Sequence, residues 1–237
     1  NHRDELAAGF TQLQSASEPV VCILEQRLPL AAECSVVLAR SVDGHTVHLP
    51  VQTNLHRDGI LAVTQVGEGS LGNDLTELAV RCANDVARQL DYVGVLCVEF
   101  FVLQDGPLKQ ALGPLVVNEI APRPHNSGHH SIDSCDVSQF ELQVRCMAGL
   151  PLTAPRLHSP CVMLNVLGDI WLRNTDTPRE PDWAQVLALP GVHLHLYGKT
   201  QAKPGRKMGH VTTTAATHEQ AQHVALQAAA LLGIAPW

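Results

Sequence analysis

The chain has 237 residues, 45% of them hydrophobic and 16% charged, and a formal net charge of −7. That composition is too apolar for a disordered segment, and the length suffices to bury a core without staples. A net negative charge argues against nonspecific nucleic-acid binding, which needs a surplus of Lys and Arg on one face, but leaves room for an anionic small molecule held by local cations.

Residues 4–14 carry Leu6, Phe10 and Leu13 at helical spacing, and the stretch 15–19 ends that helix. Val20-Val21-Cys22-Ile23-Leu24 reads as a buried strand, residues 35–39 as another, and Asp43-Gly44 as a hairpin turn into residues 46–51. Residues 54–61 read as a polar turn. From Asp74 to Leu90, the positions Leu75, Leu78, Ala79, Cys82, Val86 and Leu90 recur at three and four, which predicts a helix with Gly94 as its cap. Strands at 96–103 and 115–120 follow, joined by a turn-rich link at 104–114. Ser138 and Glu141 have capping-box spacing, so a helix should run to Met147 and stop at Gly149. Pro151 marks a boundary. Beyond it come β-like runs at 162–166 and 192–197 and an Ala-rich helix at 217–232 ahead of Gly233. The expected division is a first domain over 1–150 and a small β-rich second domain over 151–237.

Seven cysteines form no CxxC pair, and several sit in apolar runs, which fits reduced thiols in the cytoplasm. The longest apolar stretch, residues 93–103, is interrupted by Glu99 and is far shorter than the ~20 residues of a membrane helix.

Two acidic residues stand inside apolar strands: Glu99 in Val98-Glu99-Phe100 and Glu119 in Val117-Asn118-Glu119-Ile120. A buried carboxylate is costly unless paired or bound to metal. Adjacent antiparallel strands would bring both together as ligands for Mg²⁺ beside a nucleotide; as edge-strand residues they would simply face water. The following loop, Ala121-Pro122-Arg123-Pro124-His125-Asn126-Ser127-Gly128-His129-His130, is too polar for a core. Arg123 has the planar fork that clamps an oxyanion, and His125 and Asn126 can read a polar ligand. Zinc is disfavoured there, because no spacing supplies a tetrahedral set with nearby Cys. A third cluster, residues 197–210, packs Lys199, Lys203, Arg206 and Lys207 among glycines, as a phosphate-wrapping loop or an exposed basic hairpin. His193 and His195 share one face of a strand and read as satisfied or surface histidines.

Taken in order, Cys22-Ile23-Leu24-Glu25, Glu33-Cys34-Ser35, Asn54-Leu55-His56-Arg57-Asp58-Gly59, Val98-Glu99-Phe100-Phe101, the loop at 118–129 and the loop at 197–210 resemble the N5-carboxyaminoimidazole ribonucleotide synthetase family across nearly the whole chain. The resemblance implies an α+β ATP-grasp domain, a mostly antiparallel sheet with flanking helices, followed by a small C-terminal β-rich domain. It places Glu25, Gln26, Arg27 and Leu28 along the adenine of ATP, Glu33 on the ribose and His56 on the nucleotide. Asn118 and Glu119 would belong to the ATP site, with Glu99 and Glu119 holding Mg²⁺. Arg123, His125 and Asn126 would face the reaction centre, and Lys199 and Arg206 would grip the substrate's 5′-phosphate. The implied reaction uses ATP and bicarbonate to carboxylate aminoimidazole ribonucleotide through carboxyphosphate, in a cytoplasmic homodimer, with a fused or partner mutase or carboxylase.

Two departures stand out. Ala121 occupies a position where many ATP-grasp enzymes carry Asn, which would leave the metal an extra water. The family's N-terminal nucleotide-like domain and Gly-rich loop have no counterpart before Asn1, so the expectation is a chain lacking its beginning and inactive alone. Two rivals remain: the formate-using glycinamide ribonucleotide transformylase, which shares a Pro-Arg-Pro-His run but not the Asn126-to-His129 continuation, and a non-catalytic ATP-grasp remnant.

Overall fold

The computed structural model describes residues 3–14, 21–67, 71–173 and 177–237. Helix α1 (Arg3–Gln14) leaves Leu6, Phe10 and Leu13 about half exposed, lining an apolar cleft with Ile23 and Leu24. The strand expected at 20–24 does not form: Val20 and the stretch 15–19 lie outside the described residues, and Val21 and Ile23 are 95% and 86% exposed. An apolar run becomes a strand only beside a partner, and pairing starts later, where Leu30 meets Leu103.

Strand β1 (Leu30–Arg40) is followed by the short β2 (Thr46–His48), then β3 (Gln52–Arg57) and β4 (Ile60–Val66). The polar turn read at 54–61 shrinks to Asp58-Gly59, whose positive φ values of 50° and 73° suit a two-residue hairpin; the residues on either side belong to β3 and β4. Helix α2 (Asn73–Gln89) buries a line of small side chains, Ala79, Ala83 and Ala87. Its cap is Leu90, while Gly94 instead opens β5 (Gly94–Leu103). The turn-rich link contains a helix, α3 (Pro107–Leu112), started by a proline whose missing N–H needs no partner in the first turn. Strand β6 (Leu115–Ala121) leads through the polar loop and α4 (Ser131–Ser134) into α5 (Gln139–Ala148). There Ser138 accepts the Glu141 N–H, and Gly149 is left-handed at φ 64°. The rest comprises β7 (Cys161–Leu167), α6 (Trp183–Leu187), β8 (Val192–Leu196), β9 (Lys207–Thr214) and α7 (His218–Leu232), capped by Thr217 and Gly233.

The nine strands of the described residues make one antiparallel sheet in the order β6-β5-β1-β3-β4-β7-β9-β8, with β2 on the end of β1. The ladder runs across the boundary expected at Pro151, since β4 pairs with β7 through Val63↔Leu164 and Thr64↔Met163. Alternation along the strands assigns the helices to opposite faces. Cys34, Val36 and Leu38 of β1, with Leu96 and Val98 of β5, pack under α2; Val37 and Ala39, with Val95 and Cys97, pack under Leu142 and Cys146 of α5. Each fully buried aliphatic side chain contributes ~1.5–3 kcal/mol. A third cluster sets α7 on β7 and β9. Among the described residues no helix is long and apolar enough to cross a membrane.

Candidate functional site

On the α5 face of the sheet, apolar side chains give way to polar ones beyond Val37 and Cys97. Gln52 of β3 pairs with Ser35 of β1, Ser35 with Glu99 of β5, and Glu99 with Glu119 of β6, a cross-strand row on one face. Directly opposed side chains have Cβ atoms about 4.5–5.5 Å apart. The two glutamates flagged in the sequence are therefore neighbours. Glu119 lies exposed on the edge strand, but Glu99 is interior and 7% exposed. The register slips beside them: Glu99 faces Glu119 while Phe100 faces Val117, so Asn118 is the extra residue of a bulge, a device that re-aims side chains at sites.

Two residues along β1, Glu33 pairs with Asn54, and His56 follows Asn54 on the same face. His56 Nδ1 forms an ion pair with Glu33 Oε2 at 2.5 Å. Burial works against charge on His56, but the contact and charge of Glu33 and the charge of Glu99 outweigh it and raise its pKa. Glu99 is also pushed up, mainly by burial and further by Glu119 and Glu33, with His56 opposing. Its Oε1 has no hydrogen-bond partner and sits 3.6 Å from His125 Nε2. His125 is neutral at physiological pH, because burial, with Lys207 and Arg123 nearby, lowers its pKa to about 4.

The loop after β6 is fastened from below. Gln139, fully buried, accepts the His125 N–H at 2.8 Å, and its Nε2 lies 2.8 Å from both the His125 carbonyl and His129 Nδ1. A side chain at Gly128 would collide with it at 2.7 Å. Ser127 Oγ lies 3.0 Å from His125 Nδ1 and 2.9 Å from Ser35 Oγ, which accepts from Asn54 Nδ2 at 2.8 Å. Within this frame Asn126 is 8% exposed, yet both its amide atoms lack a protein partner. Losing the clamp strands buried backbone groups at ~1–3 kcal/mol. Gln139→Ala should accordingly lower Tm by several degrees in a thermal melt; an unchanged Tm would show that the loop holds itself.

Lys207, not singled out in the sequence, is the main addition. It begins β9, is half-buried, and its charge bears on His56, Glu99, His125 and His129. Burial lowers its pKa, while Glu99 and Glu119 pull it back up. The available signal was its place within the basic run at 203–207, where it competed with more obvious neighbours. Lys199 is exposed, donates to the Lys207 carbonyl at 2.5 Å and lies 5.6 Å from the Tyr197 ring centre. Arg206 donates to Gln201 O within its own loop, and Arg123 is exposed, 3.2 Å from Pro124 O. Gln26, Arg27 and Leu28 line a separate cavity of about 530 Å³ with Phe101 and Gln104, while Glu25 is exposed outside it. Ala121 is 3% exposed in the core beneath α5.

Glu99, Glu119, His56 and His125 thus offer oxygen and nitrogen donors beside Lys207 and Arg123. The orphaned Glu99 oxygen opposite Glu119 fits a hard divalent cation, and the cations suit an anionic ligand. Thiol chemistry does not fit, since burial pushes Cys34 and Cys161 up to about 12.

Residues 1–140 match the ATP-grasp domain family, and residues 161–224 match the phosphoribosylaminoimidazole carboxylase C-terminal domain. N5-carboxyaminoimidazole ribonucleotide synthase of Brucella melitensis is 43% identical over 190 residues, 80% of this chain and 48% of the relative. A bifunctional purine synthesis protein of Dictyostelium discoideum is 37% identical over 221 residues, 88% of this chain but 21% of that protein. The crystal structure of N5-carboxyaminoimidazole synthase from Aspergillus clavatus with ADP and 5-aminoimidazole ribonucleotide superimposes with a TM-score of 0.82 at 28% identity, covering 98% of this chain and 58% of the other. The chain thus spans about half the length of the single-function relatives it matches. With residues 1–140 matching its model, the chain belongs to the ATP-grasp family, and its second part matches the phosphoribosylaminoimidazole carboxylase C-terminal domain.

Proposed function

We propose that this chain supplies the metal-binding and substrate-binding walls of an ATP- and bicarbonate-dependent ligase that carboxylates 5-aminoimidazole ribonucleotide in purine synthesis. The observation that carries this reading is a set of buried polar atoms with no hydrogen-bond partner: Glu99 Oε1, 3.6 Å from Nε2 of a neutral His125, and both amide atoms of the adjoining Asn126. Such groups are costly unless a ligand satisfies them. Glu99 and Glu119 are the residues to hold Mg²⁺, which when bound would neutralise phosphate oxygens of ATP. Glu33 and His56 take the ribose side of the nucleotide; Gln26, Arg27 and Leu28, in the neighbouring cavity with Phe101, the cross-strand partner of Glu33, take its adenine, with Glu25 beside them.

Neutral His125 accepts the Ser127 N–H at Nδ1, so its proton sits on Nε2, which can donate to a ligand. Lys207 and Arg123 hold positive charge where a phosphoryl or carboxyl group carries negative charge, as in transfers where the protein works mainly by placement and electrostatics. Lys199 and Arg206 take the 5′-phosphate. The proposed boundary between the two parts lies near Pro151, in the interval that neither family match covers. Free thiols at Cys34, Cys82, Cys97, Cys135, Cys146 and Cys161 support a reducing, cytoplasmic setting.

The test is ADP release by the protein carrying this chain, with Mg²⁺-ATP and either aminoimidazole ribonucleotide plus bicarbonate or glycinamide ribonucleotide plus formate. Turnover with the first pair alone supports the proposal; turnover with the second alone, or with neither, refutes it. Within the active protein, Lys199→Ala should raise KM for the ribonucleotide roughly tenfold, the equivalent of about 1.4 kcal/mol from one charged contact, and change kcat less. An unchanged KM would remove Lys199 from the phosphate site.

A further inference from the structure

Away from the Glu99 centre, Asp133 at the end of α4 is ringed by imidazoles from the β8–β9 edge. His195 Nε2 lies 2.9 Å from Asp133 Oδ2, and His193 Nδ1 lies 3.7 Å from Asp133 Oδ1. His195 is the direct cross-strand partner of His210, and one donor atom each from Asp133, His195 and His210 fall within 4.8 Å of one another. His210 is 1% exposed; Tyr197 Oη sits 2.9 Å from its Nδ1, while its Nε2 has no hydrogen-bond partner. The Asp133 side chain is only 10% exposed, and its ion-pair partners are both histidines.

We propose that Asp133, His195 and His210 form a binding site for a divalent transition-metal ion of the zinc and cobalt type, with His193 placed to complete it. Imidazole nitrogen with one carboxylate is a donor set that such ions take readily and that Mg²⁺, which prefers oxygen, does not. The phenol of Tyr197 beside Nδ1 provides the outer contact that metal-binding histidines commonly use, fixing the tautomer and leaving Nε2 as the lone-pair donor.

The His195 and His210 rings stack, with centres 4.5 Å apart and planes 14° from parallel. One ion cannot lie in two such planes. The His195 ring, 30% exposed against the buried His210, is the one free to turn, and binding would exchange its hydrogen bond to Asp133 for a shared ion. The ion would tie α4 to the β8–β9 edge, whose connecting loop carries Lys199 and Arg206. That role is separate from the cation expected between Glu99 and Glu119.

The test is titration of the chelator-treated protein with Zn²⁺ by calorimetry and with Co²⁺ by visible absorption, in excess Mg²⁺ and without nucleotide. One equivalent should bind, with affinity weakened at least about tenfold in Asp133→Asn and in His195→Ala, and kept in Glu119→Gln. Asp133→Asn preserves shape, and His195 is partly exposed, so both variants should fold, which circular dichroism checks. No stoichiometric binding, equal binding in both variants, or loss confined to Glu119→Gln would overturn the proposal.

Discussion

Replacing Glu99 with glutamine is expected to make the protein harder to unfold at pH 7 and to stop the Mg²⁺-dependent ATP turnover proposed for the protein that carries this chain. The two effects have opposite signs for one reason. Burial, with Glu119 and Glu33 nearby, raises the Glu99 pKa in the fold, so the ionised form is held less well there than in the unfolded chain. A carboxyl shifted upward contributes fully only below its unfolded pKa and weakens the fold as pH rises past it. Glutamine keeps the shape without that cost. A gain of 1 kcal/mol corresponds to roughly 2–4 °C in a domain of this size. The gain should shrink in acid, where the native carboxyl is itself protonated. Paired melts at pH 7 and pH 4 with an ADP-release assay read both effects. A lower Tm at pH 7 would mean that attraction to His56 outweighs desolvation, and retained turnover would remove Glu99 from the metal pair.

Acid should unfold the protein earlier than its carboxylates alone would require, because His129, half-buried, and His130, fully buried, are held neutral. Burial lowers their pKa values to about 4 and about 3. Below the ordinary histidine value near 6.5 the unfolded chain takes up protons that the folded chain refuses. Stability is therefore lost as pH falls through 6.5 toward 4, by up to about 1.4 kcal/mol per pH unit for each group. Together they cost on the order of a few kcal/mol by pH 5. Denaturant melts between pH 7 and pH 4.5 measure the slope, and His130→Leu should flatten it by close to one proton. An unchanged slope would mean that His130 titrates normally in the fold.

Much of this molecule was legible in the sequence, for identifiable reasons. The helix at 74–90 carried its own periodicity, and Ser138, Gly149 and Gly233 marked ends that depend on local geometry alone. Glu99 and Glu119 were visible because each breaks an apolar strand, and their pairing followed from hairpin-like neighbours. What failed depended on distant partners. Residues 20–24 have strand composition, but the described ones, 21–24, meet no strand, and Gly94 fits a cap yet begins β5 because β1 is there to receive it. Lys207 and Gln139 matter through residues far away in sequence, and neither type nor spacing announces that. His193 and His195, read as inert, owe their interest to Asp133, some sixty positions earlier.

The pairing of β4 with β7 also determines what becomes of a divided chain. A break in the 150s would strip Val63 and Thr64 of their ladder partners Leu164 and Met163 and leave each piece with a raw sheet edge. Val63 would lose part of the cluster that β7, β9 and α7 provide. Such an edge recruits whatever strand is nearest, so lone fragments should clump, whereas the two made together can zip along the same ladder and restore the whole. The join is thus a natural split point for complementation, set by a strand pair rather than by a flexible linker.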